Sequence, residues 1–209
     1  IGTKDMPSEL AVPYIRVADA RLAMAWASAA LYRFPSNEMV MIGVTGTDGK
    51  KTTSTYLYNI LREAGFKASL ISTVSAVIDD QEIDTGFHVT TPESPDIQHY
   101  LAEMRDAGVT HAVCEVTSHG LAQQRVAAID FDIAVVTNIT HEHLDYHNSR
   151  EAYFAAKGIL FQNLGKKDRA TKPLAVHNGD DPDSYNFLKK ITTVRKVSYS
   201  ASGELQNAV

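Results

Sequence analysis

The sequence predicts an α/β domain with a mostly parallel sheet flanked by helices, and three observations lead to that prediction. Apolar runs of strand length alternate with helical patterns from residue 39 to residue 199. The run at 39–44 is almost continuously apolar, as expected of a strand buried on both faces. A Gly-rich turn follows directly and leads into a helix. Ligands of such sheets bind beyond the carboxyl ends of the strands, so functional residues are expected there.

The individual elements follow from local patterns of apolar residues and from turn residues. An Ala-rich segment near the start is predicted to be a helix, stopped by the turn residues at 34–37. We predict strands over residues 39–44, 68–74, 110–116, 131–138, 174–177 and 194–199, a hairpin over 75–89, and helices over 19–32, 149–164 and 181–190.

Two further helices are predicted together with the faces that they bury. The helix after the Gly-rich turn runs to about Ala64 and ends at Gly65, a residue suited to helix ends. A second helix begins at Pro95. The first is predicted to bury Leu57, Ile60, Leu61 and Ala64, and the second Ile97, Leu101 and Met104.

The composition narrows the class of protein. The net charge of −5 and the lack of a basic cluster argue against a nucleic-acid-binding surface. Cys114 is the only cysteine, so no internal disulfide can form, which suits a reducing compartment. No apolar run approaches the roughly 20 residues that span a bilayer, and the first residues do not resemble a signal peptide. We expect a cytoplasmic monomer without membrane insertion.

A phosphate-binding loop is predicted at residues 43–50 (GVTGTDGK), between the first strand and its helix. Glycines let successive N–H groups face one centre, and the helix N-terminus and Lys50 add positive charge. The strict pattern G-x-x-x-x-G-K-[ST] is not met, because Val44 stands at its first glycine and Lys51 at its final position. Lys51 cannot ligate magnesium, since an ammonium only donates hydrogen bonds. The alternative is a plain Gly-rich turn.

Polar residues end two later strands. Glu115 is predicted to face the ligand crevice and to bind a hard cation, the alternative being a strand end in solvent. Asn138 ends the next strand, and residues 138–147 (NITHEHLDYH) hold three histidines and two acids. A zinc site is an alternative for this segment, although it lacks the defined spacing and the second ligand cluster typical of zinc.

Lys157 stands inside the apolar stripe of its predicted helix, between Tyr153 and Phe161. One interpretation is that its stem packs at the helix edge while its head reaches water. The other is a buried amine. Burial lowers the pKa of a lysine and favours the neutral amine, which reacts with carbon dioxide to give a carbamate, an anionic metal ligand.

These segments together resemble the Mur ligase family over most of residues 38–200. The GTDGK sequence at 46–50 is similar to the G-T-N-G-K loop of Mur ligases and folylpolyglutamate synthetases, with Asp48 for the usual Asn. Residues 117–125 (TSHGLAQQR) are similar to S-S-H-G-L-x-Q-x-R, found in the ligases that add the third residue of the peptidoglycan stem peptide. Four more segments resemble motifs of the family. Residues 90–92 resemble its T-T-P, and residues 138–147 its N-L-T-x-D-H-L-D-Y-H. Residues 153–161 resemble its Y-x-x-A-K-x-x-L-F, and residues 178–182 its N-x-D-D-P.

The resemblance implies a P-loop NTPase-like central domain that uses ATP and Mg²⁺, with Lys157 carbamylated. It implies a nucleotide site formed by Gly46, Thr47, Asp48, Gly49, Lys50, Lys51, Thr52 and Asn138. It implies catalytic roles for Lys50, Glu115, His143 and Lys157, of which the last three ligate magnesium. It implies that UDP-N-acetylmuramoyl-L-alanyl-D-glutamate is bound by Thr90, Thr91, Thr117, Gln123 and Arg125.

The implied reaction is amide formation between that substrate's carboxylate and an amino acid amine, through an acyl phosphate. The resemblance also implies a domain plan, in which residues 1–37 end a UDP-binding domain and residues 38–209 form the central ATP-binding domain. A C-terminal domain is expected to be absent, so this chain alone is expected to lack ligase activity. The sequence leaves the added amino acid open. The alternatives are a P-loop ATPase or nucleotide-binding module without ligase chemistry, and another ligase of the Mur or folylpolyglutamate type.

Overall fold

The computed structural model describes residues 1–5, 12–72, 75–78, 81–84, 91–140, 144–147, 149–165 and 171–203. The helices in these ranges are α1 (Ala20–Leu31), α2 (Lys50–Glu63), α3 (Ser94–Asp106), α4 (Ser118–Ala122), α5 (Leu144–His147), α6 (Arg150–Gln162) and α7 (Pro182–Ile191). The strands are β1 (Val40–Thr45), β2 (Ala68–Ile71), β3 (Ser75–Ile78), β4 (Gln81–Asp84), β5 (His111–Glu115), β6 (Ile133–Val136), β7 (Leu174–Asn178) and β8 (Arg195–Tyr199).

These strands form one mixed sheet in the order β4-β3-β2-β5-β1-β6-β7-β8. The six strands from β2 to β8 in that order are parallel, and β3 and β4 add an antiparallel hairpin at one edge. The predicted mostly parallel α/β sheet is therefore confirmed. β1 lies between β5 and β6, with Val44 opposite Glu115 and Thr45 opposite Val136. This register brings the carboxyl ends of three strands together.

The core has one layer on each face of the sheet. Alternate strand residues pack against α2 on one face, where Val44, Val113 and Leu70 meet Tyr58. The other face is larger and is covered by α3, α4, α6 and α7. Ile97, Leu101 and Met104 of α3 are buried there, as the spacing predicted. Because both faces are covered, the central strands are apolar without a break.

The predicted inner face of α2 is partly wrong. Ile60 is 63% exposed and Ala64 is also exposed. The side that packs on the sheet carries Ser54 and Tyr58, with Leu57 and Leu61 half-buried beside them. The buried side of α2 is therefore displaced toward Ser54 and Tyr58 and away from Ile60 and Ala64.

Helix boundaries have identifiable causes in the side chains that flank them. Asp19 caps α1 by accepting from the amides of Arg21 and Leu22, and Ser149 caps α6 by accepting from Ala152. A short 3-10 helix, Pro35–Glu38, forms where the sequence predicted only a stop. The short α4 was not predicted. Among the residues that the structure describes, no helix combines the length and apolar character needed to cross a membrane.

Candidate active site

The loop between β1 and α2 wraps around the carboxyl end of β6. The amide of Thr47 donates to the carbonyl of Asn138 at 2.8 Å, and the amide of Asp48 donates to Asn138 Oδ1 at 3.0 Å. Thr137 Oγ1 donates to the carbonyl of Asp48 at 2.6 Å. The side chain of Asp48 itself is exposed. Asp48 is therefore fixed through its backbone, which explains how Asp can stand at a position that is Asn in the resembling motif.

Gly46 is required by the close approach of this loop to β6. Its φ of +152° lies in a region that side chains rarely adopt. A Cβ built at this position would overlap Thr137 Oγ1. The loop amides can reach Asn138 only because no side chain stands between the two segments.

Two lysines converge on the same carbonyl of the loop. Lys50 Nζ donates to Gly46 O at 3.0 Å and to Thr47 O at 2.7 Å, and Lys157 Nζ donates to Gly46 O at 2.6 Å. Lys157 is 1% exposed, so its ammonium is buried along with its stem. The interpretation that its head reaches water is therefore wrong. The loop is a centre of positive charge contributed by two helices.

The start of α2 offers backbone donors to the same region. Its first intrahelical bond runs from Thr53 N to Gly49 O, so the amides before Thr53 have no acceptor within the helix. Gly49 precedes the helix with φ of +76°, and no acidic residue stands in the first turn. The helix end therefore attracts anions. Lys51 and Thr52 are both exposed at this end.

Glu115 ends β5 and is 2% exposed, so it is not a strand end in solvent. The preceding residue, Cys114, is also buried, and burial raises the pKa of its thiol to about 12. That thiol stays protonated near neutral pH and is a poor nucleophile. The strand therefore ends in one buried carboxylate, that of Glu115, next to an unreactive thiol.

Tyr153 joins the loop to α6 and was predicted only as an apolar residue. Its hydroxyl lies 3.1 Å from Thr47 Oγ1, which also accepts from the amide of Thr140 at 2.9 Å. Its ring lies 4.6 Å from Lys157 Nζ, a cation–π distance. The ring of His147 also packs against Tyr153, with ring centroids 5.3 Å apart. The i, i+4 spacing of Tyr153 and Lys157 was the available sequence signal.

Four of the five residues predicted to bind substrate form one hydrogen-bonded network. Thr91 Oγ1 lies 3.0 Å from Thr117 Oγ1, which accepts from the amide of Gly120 at 3.0 Å and so caps α4. Arg125 Nη1 donates to Thr91 O at 2.6 Å, and Arg125 Nη2 donates to Gln123 Oε1 at 2.7 Å. Residues that are distant in sequence are thus brought to one place beyond β5.

Some predicted residues lie outside the described ranges. These are Thr90 and His143, together with the neighbouring residues 141 and 142 of the segment that offered the zinc alternative. Within the described ranges, no group of three or more His, Cys, Asp or Glu side chains is arranged to hold a metal ion. The metal-ligand role predicted for His143 stays a prediction.

Comparison with known proteins identifies the family. Residues 44–208 match the family model described as the Mur ligase middle domain. The chain belongs to the Mur ligase family. This confirms the resemblance drawn from the motifs and places the described loop, α2 and α6 within the family's middle domain.

Similar proteins carry one activity in their names. The chain is 41% identical over 200 residues to UDP-N-acetylmuramoyl-L-alanyl-D-glutamate–2,6-diaminopimelate ligase of Halalkalibacterium halodurans, covering 96% of this chain and 40% of that protein. It is 42% identical over 196 residues to the ligase of the same name from Geobacillus kaustophilus, covering 93% of this chain and 40% of the relative. The Mur ligase chain thus spans about 40% of the length of these relatives.

Solved structures agree with the fold. A structure of a UDP-N-acetylmuramoyl-L-alanyl-D-glutamate–2,6-diaminopimelate ligase superimposes with a TM-score of 0.77 at 28% identity, over 94% of this chain and 40% of that chain. A folylpolyglutamate synthase of Mycobacterium tuberculosis, complexed with ADP and AMPPCP, gives a TM-score of 0.69 at 18% identity, over 85% of this chain and 46% of that one. The second likeness shows a shared fold.

Proposed function

We propose that this chain is the nucleotide-binding core of an ATP-dependent ligase of peptidoglycan synthesis in the cytoplasm. The reaction joins a carboxylate of UDP-N-acetylmuramoyl-L-alanyl-D-glutamate to the amine of diaminopimelate. Relatives 41% and 42% identical to the chain are named for that substrate pair. The choice of diaminopimelate as the added amino acid rests on those names. The alternatives are ATP hydrolysis without a carboxylate acceptor and a related ligase with another amino acid.

The observation that carries the proposal is the convergence of Lys50 and Lys157 on the carbonyl of Gly46. The pattern of a phosphate-binding loop contains one such lysine, here Lys50. The second comes from α6 and is fully buried, where an ammonium is costly unless the site uses it. We infer that Lys157 serves the reaction rather than the fold.

The residues of the loop suit a nucleotide triphosphate. Lys50 is held over the loop by Gly46 O and Thr47 O, and the first amides of α2 point outward from the helix end. Asn138 accepts hydrogen bonds from the amides of Thr47 and Asp48. The amides that follow in the chain can then donate to phosphate oxygens. These groups would orient the γ-phosphate toward the substrate carboxylate, which attacks it to give an acyl phosphate.

Two of the proposed ligands supply anionic oxygen atoms that suit magnesium, whereas one residue of the loop cannot bind it. Glu115 supplies a buried carboxylate, and a carbamate on Lys157 would supply a second anionic oxygen donor. The bond from Lys157 to Gly46 survives carbamylation, because a carbamate nitrogen keeps one N–H. His143 is the third proposed ligand. Lys51 is the departure, since it cannot ligate a cation. Bound magnesium would offset the negative charge that builds on the transferring phosphoryl group.

The network around Arg125 suits the muramoyl peptide. Thr91, Thr117, Gln123 and Arg125 present hydroxyl, amide and guanidinium groups beyond the end of β5. We propose that these groups hold the dipeptide so that one glutamate carboxylate faces the nucleotide loop. The amine of diaminopimelate then attacks the acyl carbon, phosphate leaves, and an amide forms.

An isotope experiment tests the proposed reaction. Residues of this chain would replace the matching segment of the Geobacillus kaustophilus ligase, and the chimera would receive substrate labelled with ¹⁸O in its glutamate carboxylates. Formation of an acyl phosphate transfers one ¹⁸O to the released phosphate, together with formation of the tripeptide. ATP hydrolysis without ¹⁸O transfer would support the ATPase alternative instead. A chimera carrying Lys50→Ala is the matched control and should do neither.

A further inference from the structure

The guanidinium of Arg125 is almost fully engaged within the protein. Its side chain is 15% exposed, and it forms an ion pair with Glu93, with 2.8 Å between Nη2 and Oε1. It also donates to Thr91 O from Nη1, and to Gln123 Oε1 from Nε and Nη2. Three of these four contacts are to neutral oxygens. The Glu93 contact is the charged one.

The neutral contacts hold the guanidinium of Arg125 from two sides. Thr91 and Gln123 grip opposite sides of the guanidinium, at 2.6 Å from Nη1 and at 3.1 Å from Nε. Glu93, by contrast, has a side chain that is 49% exposed. It precedes α3 as the N-cap residue, yet its side chain makes no capping hydrogen bond. Glu93 is therefore free to swing into water without loss of the helix or of the Arg125 position.

We propose that Glu93 occupies the place on Arg125 that a carboxylate of the incoming substrate takes, and that its displacement sets the affinity for that substrate. This inference rests on the proposed function. Arginine prefers a carboxylate partner held by two parallel N–H groups, and a second carboxylate at the same edge must compete with the first. Glu93 keeps the charge of Arg125 neutralised until a correctly placed acid arrives, which excludes other anions from this position.

Calorimetry on the chimera with the Geobacillus kaustophilus ligase tests the inference with two ligands, because this chain alone spans about 40% of the length of its relatives. The first ligand is UDP-N-acetylmuramoyl-L-alanyl-D-glutamate, and the second is the same molecule with both glutamate carboxylates as amides. The chimera without further substitution serves as the wild type. Glu93→Gln keeps the shape of the side chain and removes its charge. Asp96→Asn is the matched control, because Asp96 lies in the first turn of the same helix and makes no ion pair or hydrogen bond within the described residues.

Glu93→Gln is expected to bind the acid ligand about two- to fivefold more tightly than the wild type, as the loss of a partly exposed ion pair predicts. Glu93→Gln should bind the amide ligand as tightly as the wild type does. Asp96→Asn should bind both ligands as tightly as the wild type does. Unchanged or weaker binding of the acid ligand by Glu93→Gln would overturn the inference, because Glu93 would then serve to orient Arg125. An equal gain for both ligands would also overturn it. If neither the wild-type chimera nor its Glu93→Gln variant binds the acid ligand although both bind ATP, the proposed substrate fails and the inference fails with it. Loss of ATP binding as well would count against the proposed nucleotide site.

Discussion

The ammonium of Lys157 donates a hydrogen bond to the carbonyl of Gly46, with 2.6 Å between Nζ and O, although the residues lie 111 positions apart. The bond joins α6 to the loop between β1 and α2. It buries the lysine head at the one place where the loop also holds Lys50. The geometry therefore ties the two residues of greatest chemical interest to one atom.

Carbamylation of Lys157 is the first prediction. A buried amine beside a nucleotide loop should react with carbon dioxide, since the anionic product would sit among cationic groups. ¹³C NMR of the protein in ¹³C-bicarbonate at mildly alkaline pH should show a carbamate carbon. Lys157→Met keeps most of the buried stem and should lose the signal. A signal of equal size in Lys157→Met would assign the carbamate to another amine and remove Lys157 from the proposed metal site.

Gly46→Ala is expected to destabilise the protein and to abolish nucleotide binding. The added methyl overlaps Thr137 Oγ1, and the φ of +152° suits only glycine. The free energy of unfolding should fall by about 2–4 kcal/mol, the combined cost of overpacking and of backbone strain. Urea denaturation measures the first effect and calorimetry with ATP the second.

Gly108→Ala is the matched control for that prediction. Gly108 has φ of +76°, but a Cβ there would meet no heavy atom within 4 Å. It should cost only the strain of a left-handed residue, about 1–2 kcal/mol, and leave ATP affinity unchanged. Equal losses in the two variants would mean that contact with Thr137 does not matter.

Lys51→Thr is expected to change ATP binding in opposite directions with and without magnesium. A hydroxyl at the start of α2 supplies an oxygen ligand that Lys51 lacks, so affinity for magnesium-ATP should rise by about tenfold, or 1.4 kcal/mol. In EDTA the variant loses an exposed positive charge, and affinity should fall by about two- to fivefold. Calorimetry with magnesium and in EDTA measures both affinities. A fall in both would indicate that Lys51 itself binds phosphate and that the cation is held elsewhere.

Acid should destabilise the fold through His177. Burial, and then the charge of Lys196, lower the pKa of this histidine from 6.5 to about 4. The folded protein thus holds the neutral imidazole, whereas the unfolded chain takes up a proton below pH 6.5. Stability is complete above that pH and is lost as the pH falls from 6.5 toward 4. The loss should reach about 1–2 kcal/mol once solvent screening of the Lys196 charge is allowed for.

Urea denaturation at pH 7.5 and at pH 5 measures that loss. His177→Gln cannot take up a proton and should show a smaller difference between the two pH values than the wild type. His99→Gln replaces an exposed histidine and should retain the wild-type difference. A full pH dependence in His177→Gln would place the acid sensitivity at other groups.

The sheet was predictable because the strands carry their own signal. The central strands are continuous apolar runs bounded by turn residues, and a sheet covered on both faces requires that pattern. The inner face of α2 was less predictable. Ile60 and Ala64 satisfy the helical spacing, yet Tyr58 and Ser54 face the sheet. Periodicity alone does not decide between two adjacent faces when both contain apolar residues.

The residues of the candidate site that belong to a sequence motif were predictable. Those whose partners lie far away in the sequence were not. Lys50 and Arg125 lie in recognisable runs. Glu93, Thr137 and Tyr153 gain their places only from pairing across the fold, with Arg125, Asp48 and Thr47 respectively. Short polar residues near strand ends and one tyrosine in an apolar stripe carry no local sign of such partners.

The decisive measurement is the affinity of Lys50→Ala for ATP, because every proposed step depends on the nucleotide loop. Lys190→Ala, at an exposed position of α7, is the charge-matched control. Lys50→Ala is expected to weaken ATP binding by about 10- to 100-fold, the value of a charged hydrogen bond, while Lys190→Ala binds as the wild type does. An affinity of Lys50→Ala within about twofold of the wild type would contradict the assignment of residues 46–50 as the phosphate site.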